Sequence, residues 1–181
     1  TDCAELSAYD PNVALAIDLG RGQASTRLPS YPELDQTEEG TSCILYYTLT
    51  GEHAVVSTDA VVYMRKLLDR LAKKFSKSLR PPFAETDDAD TRLHIYLAKL
   101  PDDPILGSIA GLVQACTEVT STTGKPYTVY MALSSNILVK AGEEDKVWKK
   151  RVKSTCTHEY MHCVQNAYNQ QLTPWTMEGT A

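Results

Sequence analysis

The sequence predicts an α+β fold, on three observations. Three runs rich in β-branched and aromatic residues, around 43–50, 92–100 and 127–135, have the composition and alternation of strands. Two longer stretches, one after Ser57 and one after Glu143, carry helical periodicity or a helical motif. The strands and helices mix without a regular βαβ alternation, which separates α+β from a doubly wound α/β sheet. At 181 residues, 43% hydrophobic and 23% charged, the chain has the length and composition of one globular domain.

In chain order, residues 1–41 scatter Pro, Gly, Ser and acidic residues around one short apolar run, VALAIDL at 13–19, and are expected to form an extended lead-in. CILYYTLT, 43–50, is the first strand and stops at Gly51. TDAVVYMRKLLDRLAKKFSKSL then sets Val61, Met64, Leu67, Leu68, Leu71 and Phe75 on one helical face, with Thr58 and Asp59 as cap candidates and Arg80-Pro81-Pro82 as the stop. RLHIYLAKL, 92–100, is the second strand, with Leu93, Ile95 and Leu97 sharing a face. ILGSIAGLVQAC mixes helical and strand signals and is assigned to neither. YTVYMALSS, 127–135, alternates as a third strand, and a helix runs from Glu143 or Glu144 to about Tyr168.

Charge and hydropathy remove whole classes of function. A net charge of -5 argues against nucleic acid or an anionic membrane as main partner, since both select basic surfaces. The basic run KVWKKRVK, 146–153, is expected to be a solvated helix face. No run approaches the roughly 20 apolar residues of a membrane span, and TDCAEL lacks the regions of a signal peptide, so a mature or a cytosolic chain is expected. Five cysteines, Cys3, Cys43, Cys116, Cys156 and Cys163, lean toward an oxidising compartment. Cys156 and Cys163 on one helix would have α-carbons roughly 10 Å apart, beyond disulfide reach, so any bridge has to involve Cys3, Cys43 or Cys116.

Two of the chain's four histidines fall in STCTHEYMHCVQ, 154–165, where His158, Glu159 and His162 match H-E-x-x-H. Four residues along a helix bring both imidazoles to one face, one turn apart, where they can share a metal ion. Glu159 sits about 100° from His158, beside the metal rather than on it, where a general base belongs. Zinc there would lower the pKa of its water toward about 7 and polarise a scissile carbonyl. At about 100° per residue, Cys156, Tyr160, Met161, Cys163, Val164, Ala167 and Tyr168 fall between roughly 140° and 300° from His158, so the apolar arc opposes the histidines. Cys163, about 140° away, is expected to pack or cross-link rather than ligate.

An open catalytic site needs a third protein ligand. A histidine at the end of H-E-x-x-H-x-x-G-x-x-H is excluded, because Gln165 and Tyr168 occupy those positions. The remaining option is a downstream glutamate, and Glu178 in PWTMEGTA is the only carboxylate side chain after Glu159. HEYMHCVQ followed by WTMEGTA resembles the pattern H-E-x-x-H-x-x-Q, then W-x-x-E-G-x-A, of gluzincin-type zinc metallopeptidases, as seen in secreted bacterial metalloprotease-like families. Weaker similarity in YYTLTGEHAV and the helix after it extends the resemblance over roughly 43–181.

The resemblance implies a zincin-like domain over 42–181, Zn2+ held by His158, His162 and Glu178, and Glu159 as general base. It implies a peptide or protein substrate and a secreted location. It also implies that YTVYMALSS, the strand before the active-site helix, is the sheet edge that pairs with substrate through its main chain. Family members continue past the glutamate into a lower subdomain carrying an oxyanion donor, so a further C-terminal segment or a second chain is expected to complete the site. Tyr168 and Tyr130 are the substitutes within the chain, with packing or solvent exposure the stronger expectation for both. Two other functions stay open: a zincin-fold binding or surface-structural module without turnover, and a zinc aminopeptidase. His53 and His94 are expected to be structural, and Asp87, Asp88, Asp90, Asp102 and Asp103 to line solvated turns rather than a calcium loop.

Overall fold

The computed structural model describes residues 31, 33–85, 90–100, 102–103, 107–108, 110–120, 126–138 and 142–168. They form an α+β arrangement of one mixed sheet and two helices. The strands are β1 (Gln36–Glu39), β2 (Cys43–Tyr47), β3 (Phe83–Ala84), β4 (Leu93–Ala98), β7 (Gly111–Glu118) and β8 (Tyr127–Ser134). A separate two-stranded piece, β5 (Asp102–Asp103) with β6 (Gly107–Ser108), lies outside the main sheet. The helices are α1 (Thr58–Phe75) and α2 (Asp145–Asn166). Among the described residues no helix is long and apolar enough to cross a membrane.

Strands β2, β4 and β8 run parallel in that spatial order, with β1 antiparallel on the outer side of β2. β3 pairs in parallel with Thr128 and Val129 of β8, the stretch that β4 leaves uncovered. β7 pairs antiparallel with the other side of β8. The strand YTVYMALSS is therefore central. Its neighbours on both sides already use its main-chain groups, which corrects the expectation that it forms the substrate-pairing edge. Among the described residues β7 pairs only with β8, so β7 is the edge on that side.

Side-chain alternation explains why the sheet is covered on both faces. Cys43, Leu45, Leu93, Ile95, Leu97, Val129, Met131 and Leu133 point to the helices and join their apolar faces in the main core. Tyr96, Tyr130, Ala132 and Cys116 point the other way into a second cluster with Leu34 and Leu100. All six residues of β4 are buried in consequence. The end of the expected lead-in over 1–41 contributes β1 to this sheet, whereas Val13–Leu19 lies outside the described residues.

α1 buries the predicted stripe, Val61, Met64, Leu67, Leu68 and Leu71, together with Ala60. Each such side chain contributes about 1.5–3 kcal/mol of burial. The helix ends at Phe75, before Arg80-Pro81-Pro82, and a turn carries the chain from there to Leu79. Arg65 ties it to β1 through Glu38 at 3.1 Å, and Asp69 accepts the Ser42 N–H at 2.9 Å.

Both ends of α2 are fixed by arginines. Arg151 grips both carboxylate oxygens of Glu143 at 2.7 Å and also donates to the carbonyls of Ile137 and Leu138 at 2.9 and 2.8 Å. This clamps the connection after β8 to the first turns of the helix. At the far end, Arg80 Nη1 donates to the Ala167 carbonyl at 2.9 Å and its N–H to Tyr168 Oη at 2.7 Å. The guanidinium lies 5.2 Å from the Tyr168 ring centroid and suits the negative end of the helix dipole.

The four described cysteines, Cys43, Cys116, Cys156 and Cys163, are buried free thiols, and Cys3 lies outside the described residues. Burial pushes Cys43 up to about 12, with the Asp69 carboxylate adding to it, and pushes Cys116 up to about 12 with help from Glu85. Cys156 and Cys163 are raised by the same desolvation. A thiol held protonated by the fold keeps its proton where the unfolded chain, with the ordinary value of 9.0, has lost it. Its stabilising effect is thus full below that value and lost as pH rises toward about 12. Urea stability should fall above pH 9.0, by on the order of 1 kcal/mol per thiol for each pH unit. Cys43→Ala should flatten that decline relative to the parent chain. At neutral pH, peptide mapping should find all four thiols protected from iodoacetamide until the protein unfolds.

Candidate metal centre

α2 carries His158, Glu159 and His162, and its two faces do different work. Val152, Cys156, Tyr160, Cys163 and Val164 are buried on the core side. Glu159, His162, Gln165 and Asn166 are also buried, although polar, at 6%, 8%, 6% and 4% exposure. Burying four polar side chains on one helix is costly unless each is hydrogen-bonded or used.

The two imidazoles converge as the spacing predicts. Their Nε2 atoms lie 3.0 Å apart and their rings meet edge to face, with centroids 4.5 Å apart and planes at 85°. Gln165 Oε1, which can only accept, takes a hydrogen bond from His162 Nδ1 at 2.7 Å. With the proton of a neutral ring held at Nδ1, the lone pair of His162 is left at Nε2, facing His158. Two nitrogens so placed can share a proton or a cation, and the second is what a metal pair requires. Asn166 Nδ2 donates to the His162 carbonyl at 2.9 Å and steadies the same turn.

Glu159 packs against the edge strand. A Cβ built on Gly111 of β7 would stand 2.6 Å from Glu159 Cγ, 2.9 Å from its Cδ and 2.8 Å from Leu133 Cδ2. Only glycine lets backbone and carboxylate stem approach so closely. The carboxylate is therefore held between the helix and the one sheet edge on that side. Beside His158, the outward face of α2 carries Lys150, Lys153, Ser154 and Thr157. A cavity of about 550 Å³ lies between α1, the starts of β2 and β4, and Tyr160 on the core side of α2.

His158, Glu159 and His162 are thus brought together, whereas Glu178 lies outside the described residues. Among the described residues no group of three or more His, Cys, Asp or Glu side chains is arranged to hold a metal ion. The pair and its Gln165 support fit two positions of a zinc site that takes its third ligand from elsewhere in the chain. Tyr130 is buried in the second cluster, and Tyr168 is engaged by Arg80. His53 accepts the Lys99 N–H at 3.0 Å, and His94 stacks on Tyr46 with 3.0 Å between its Nδ1 and Tyr46 Oη. Arg92 holds the half-buried Asp90 carboxyl down at about 2 through hydrogen bonds. Sequence reasoning missed Gly111 and the use of Gln165, although the spacing from His162 to Gln165, three residues on a helix, was a usable signal.

Comparison with protein-family models, with curated proteins and with solved structures finds no match to this chain.

Replacing Gln165 by Leu should weaken zinc binding about 10- to 100-fold, measured by chelator competition. Gln165→Glu, which still accepts from Nδ1 and adds charge, should retain or tighten it. Gly111→Ala should displace Glu159, destabilise the fold by about 1–3 kcal/mol in urea and leave zinc affinity within a few-fold of the parent.

Proposed function

We propose that this chain is a zinc-dependent peptidase of the gluzincin kind, with a zincin-like arrangement of sheet and active-site helix. The observation that carries the reading is the pairing of the two Nε2 atoms at 3.0 Å with the buried Glu159 carboxylate packed beneath Gly111 of an edge strand. His158, His162 and Glu178 are the ligands in this reading, and Glu159 is the base. Bound there, zinc would supply Lewis acidity toward a carbonyl oxygen and toward water. A secreted location belongs to the same reading.

The chain's own residues account for the remaining tasks. The edge that β7 presents among the described residues, not β8, offers main-chain N–H and C=O groups to an extended peptide, giving affinity with little dependence on sequence. A peptide laid there passes directly over Glu159, because Gly111 removes the side chain that would separate them. Glu159 takes a proton from the attacking water and returns it to the leaving amine nitrogen as the C–N bond breaks. Its burial, at 6% exposure, keeps that proton from bulk solvent. Gln165 holds the His162 ring, so the ligand nitrogen does not swing away between turnovers.

Glu159→Gln preserves shape and removes the base. Zinc-loaded Glu159→Gln should lose peptide hydrolysis by a factor of about 100 or more while retaining stoichiometric zinc. Undiminished turnover would refute the reading. Cleavage inside a peptide blocked at both ends separates an endopeptidase from an aminopeptidase, and the former is expected from an edge that pairs along its length.

A further inference from the structure

The turn of α2 that carries Gln165 is also the turn in which the helix ends. The last carbonyls of a helix have no partner within it and helix ends open more readily than middles, so a side chain placed there is held only as well as the end is closed. Here the closure comes from another part of the chain. Arg80 donates from Nη1 to the Ala167 carbonyl at 2.9 Å and from its main-chain N–H to Tyr168 Oη at 2.7 Å, with its guanidinium 5.2 Å from the Tyr168 ring centroid. Arg80 is itself fixed on both sides. The preceding Leu79 N–H bonds back to the Phe75 carbonyl at 2.8 Å, and the stiff pair Pro81-Pro82 leads directly into β3, which pairs with β8.

From Arg80 a line of contacts runs through the last turn to the histidine pair. The Tyr168 N–H donates to the Gln165 carbonyl at 3.0 Å, Gln165 Oε1 accepts from His162 Nδ1 at 2.7 Å, and His162 Nε2 stands 3.0 Å from His158 Nε2. We propose that Arg80 is a positioning residue of the metal centre, holding the last turn of α2 closed so that Gln165 keeps the His162 ring oriented with Nε2 toward His158. The proposal rests on the zinc reading for its effect on metal affinity, and on the protein alone for its effect on the ring. In the sequence Arg80 offers only a helix stop, 82 positions before His162.

The test uses variants of the full chain. Arg80→Ala removes the guanidinium, Arg80→Lys restores a single donor, and Tyr168→Phe keeps the exposed ring while removing the acceptor of the Arg80 N–H. Arg65→Ala, which loses the contacts to Glu38 and Asp69, is the control for lost stability alone. Without metal, nitrogen-15 spectra of the imidazoles at about pH 8, above the ordinary histidine value of about 6.5, report which His162 nitrogen carries the proton. The parent should hold it at Nδ1, whereas Arg80→Ala and Gln165→Leu should both move the signals toward the average of the two tautomers, with Arg80→Lys between. In chelator competition, zinc should bind about three- to tenfold more weakly to Arg80→Ala, about twofold more weakly to Tyr168→Phe, and unchanged to Arg65→Ala. In a Gln165→Leu background, Arg80→Ala should alter zinc affinity by less than about twofold, because the link through which it acts is already gone.

A His162 ring that keeps its proton at Nδ1 in Arg80→Ala overturns the proposal, as does a zinc effect of Arg80→Ala that is equally large with and without Gln165. Equal weakening in Arg65→Ala overturns it too, since lost stability would then be the cause. A parent chain that binds no zinc, in which Arg80→Ala still releases the ring, supports the positioning role and counts against the zinc reading, so the two fail separately.

Discussion

The seating of α2 against the sheet is the constraint from which the rest follows. The helix has to bury Val152, Cys156, Cys163 and Val164 almost completely while leaving His158 half-buried, and a helix can do both only if its apolar arc lies away from His158. That burial fixes its rotation about its own axis, and the rotation in turn fixes what Glu159 meets. A helix turned by one residue, about 100°, would point the carboxylate away from β7 and send a histidine into the core. The arginines at its ends remove the other freedom, sliding along the axis, by tying the entrance to Glu143 and the exit to the turn after α1.

Burial of polar groups on the front of the helix is the unfavourable side of this arrangement. The hydrogen bond from His162 Nδ1 to Gln165 offsets part of it, and Asn166 offsets another part through the His162 carbonyl. Among the described residues, Asn166 Oδ1 is buried without a hydrogen-bond partner. An unmatched carbonyl of that kind costs about 1–3 kcal/mol.

Much of this was legible in the sequence, and what was not has a physical cause. The class, both helices and the strands around Cys43–Tyr47, Leu93–Ala98 and Tyr127–Ser134 follow from periodicity, because their apolar residues recur at two or at three and four. β7 was hidden. GLVQACTE alternates in two senses at once, with Val113 and Ala115 facing the helices and Leu112 and Cys116 facing the second cluster, and Gly, Gln and Ala lower its strand propensity. A strand packed on both faces leaves no polar side to read. The edge was misplaced for a separate reason: YTVYMALSS is the last strand before α2 along the chain, but in space β3, β4 and β7 all pair on it.

The same blind spot bears on chemistry. H-E-x-x-H specifies which side chains converge on α2, yet what Glu159 packs against lies 48 positions earlier, as a glycine with no functional group. Its contribution is the space that a methyl group would fill. Pattern reading is sensitive to residues that carry chemistry and insensitive to one whose role is to be small at a close approach. Lys150 and Lys153 show the reverse case. Within KVWKKRVK they were indistinguishable from Lys149 and Arg151, and only the fold separates the pair neutralised at Asp145 and Glu143 from Lys146, Lys150 and Lys153, which stand exposed on α2. Charge in a sequence states supply, whereas the structure determines how much of it remains available to a ligand.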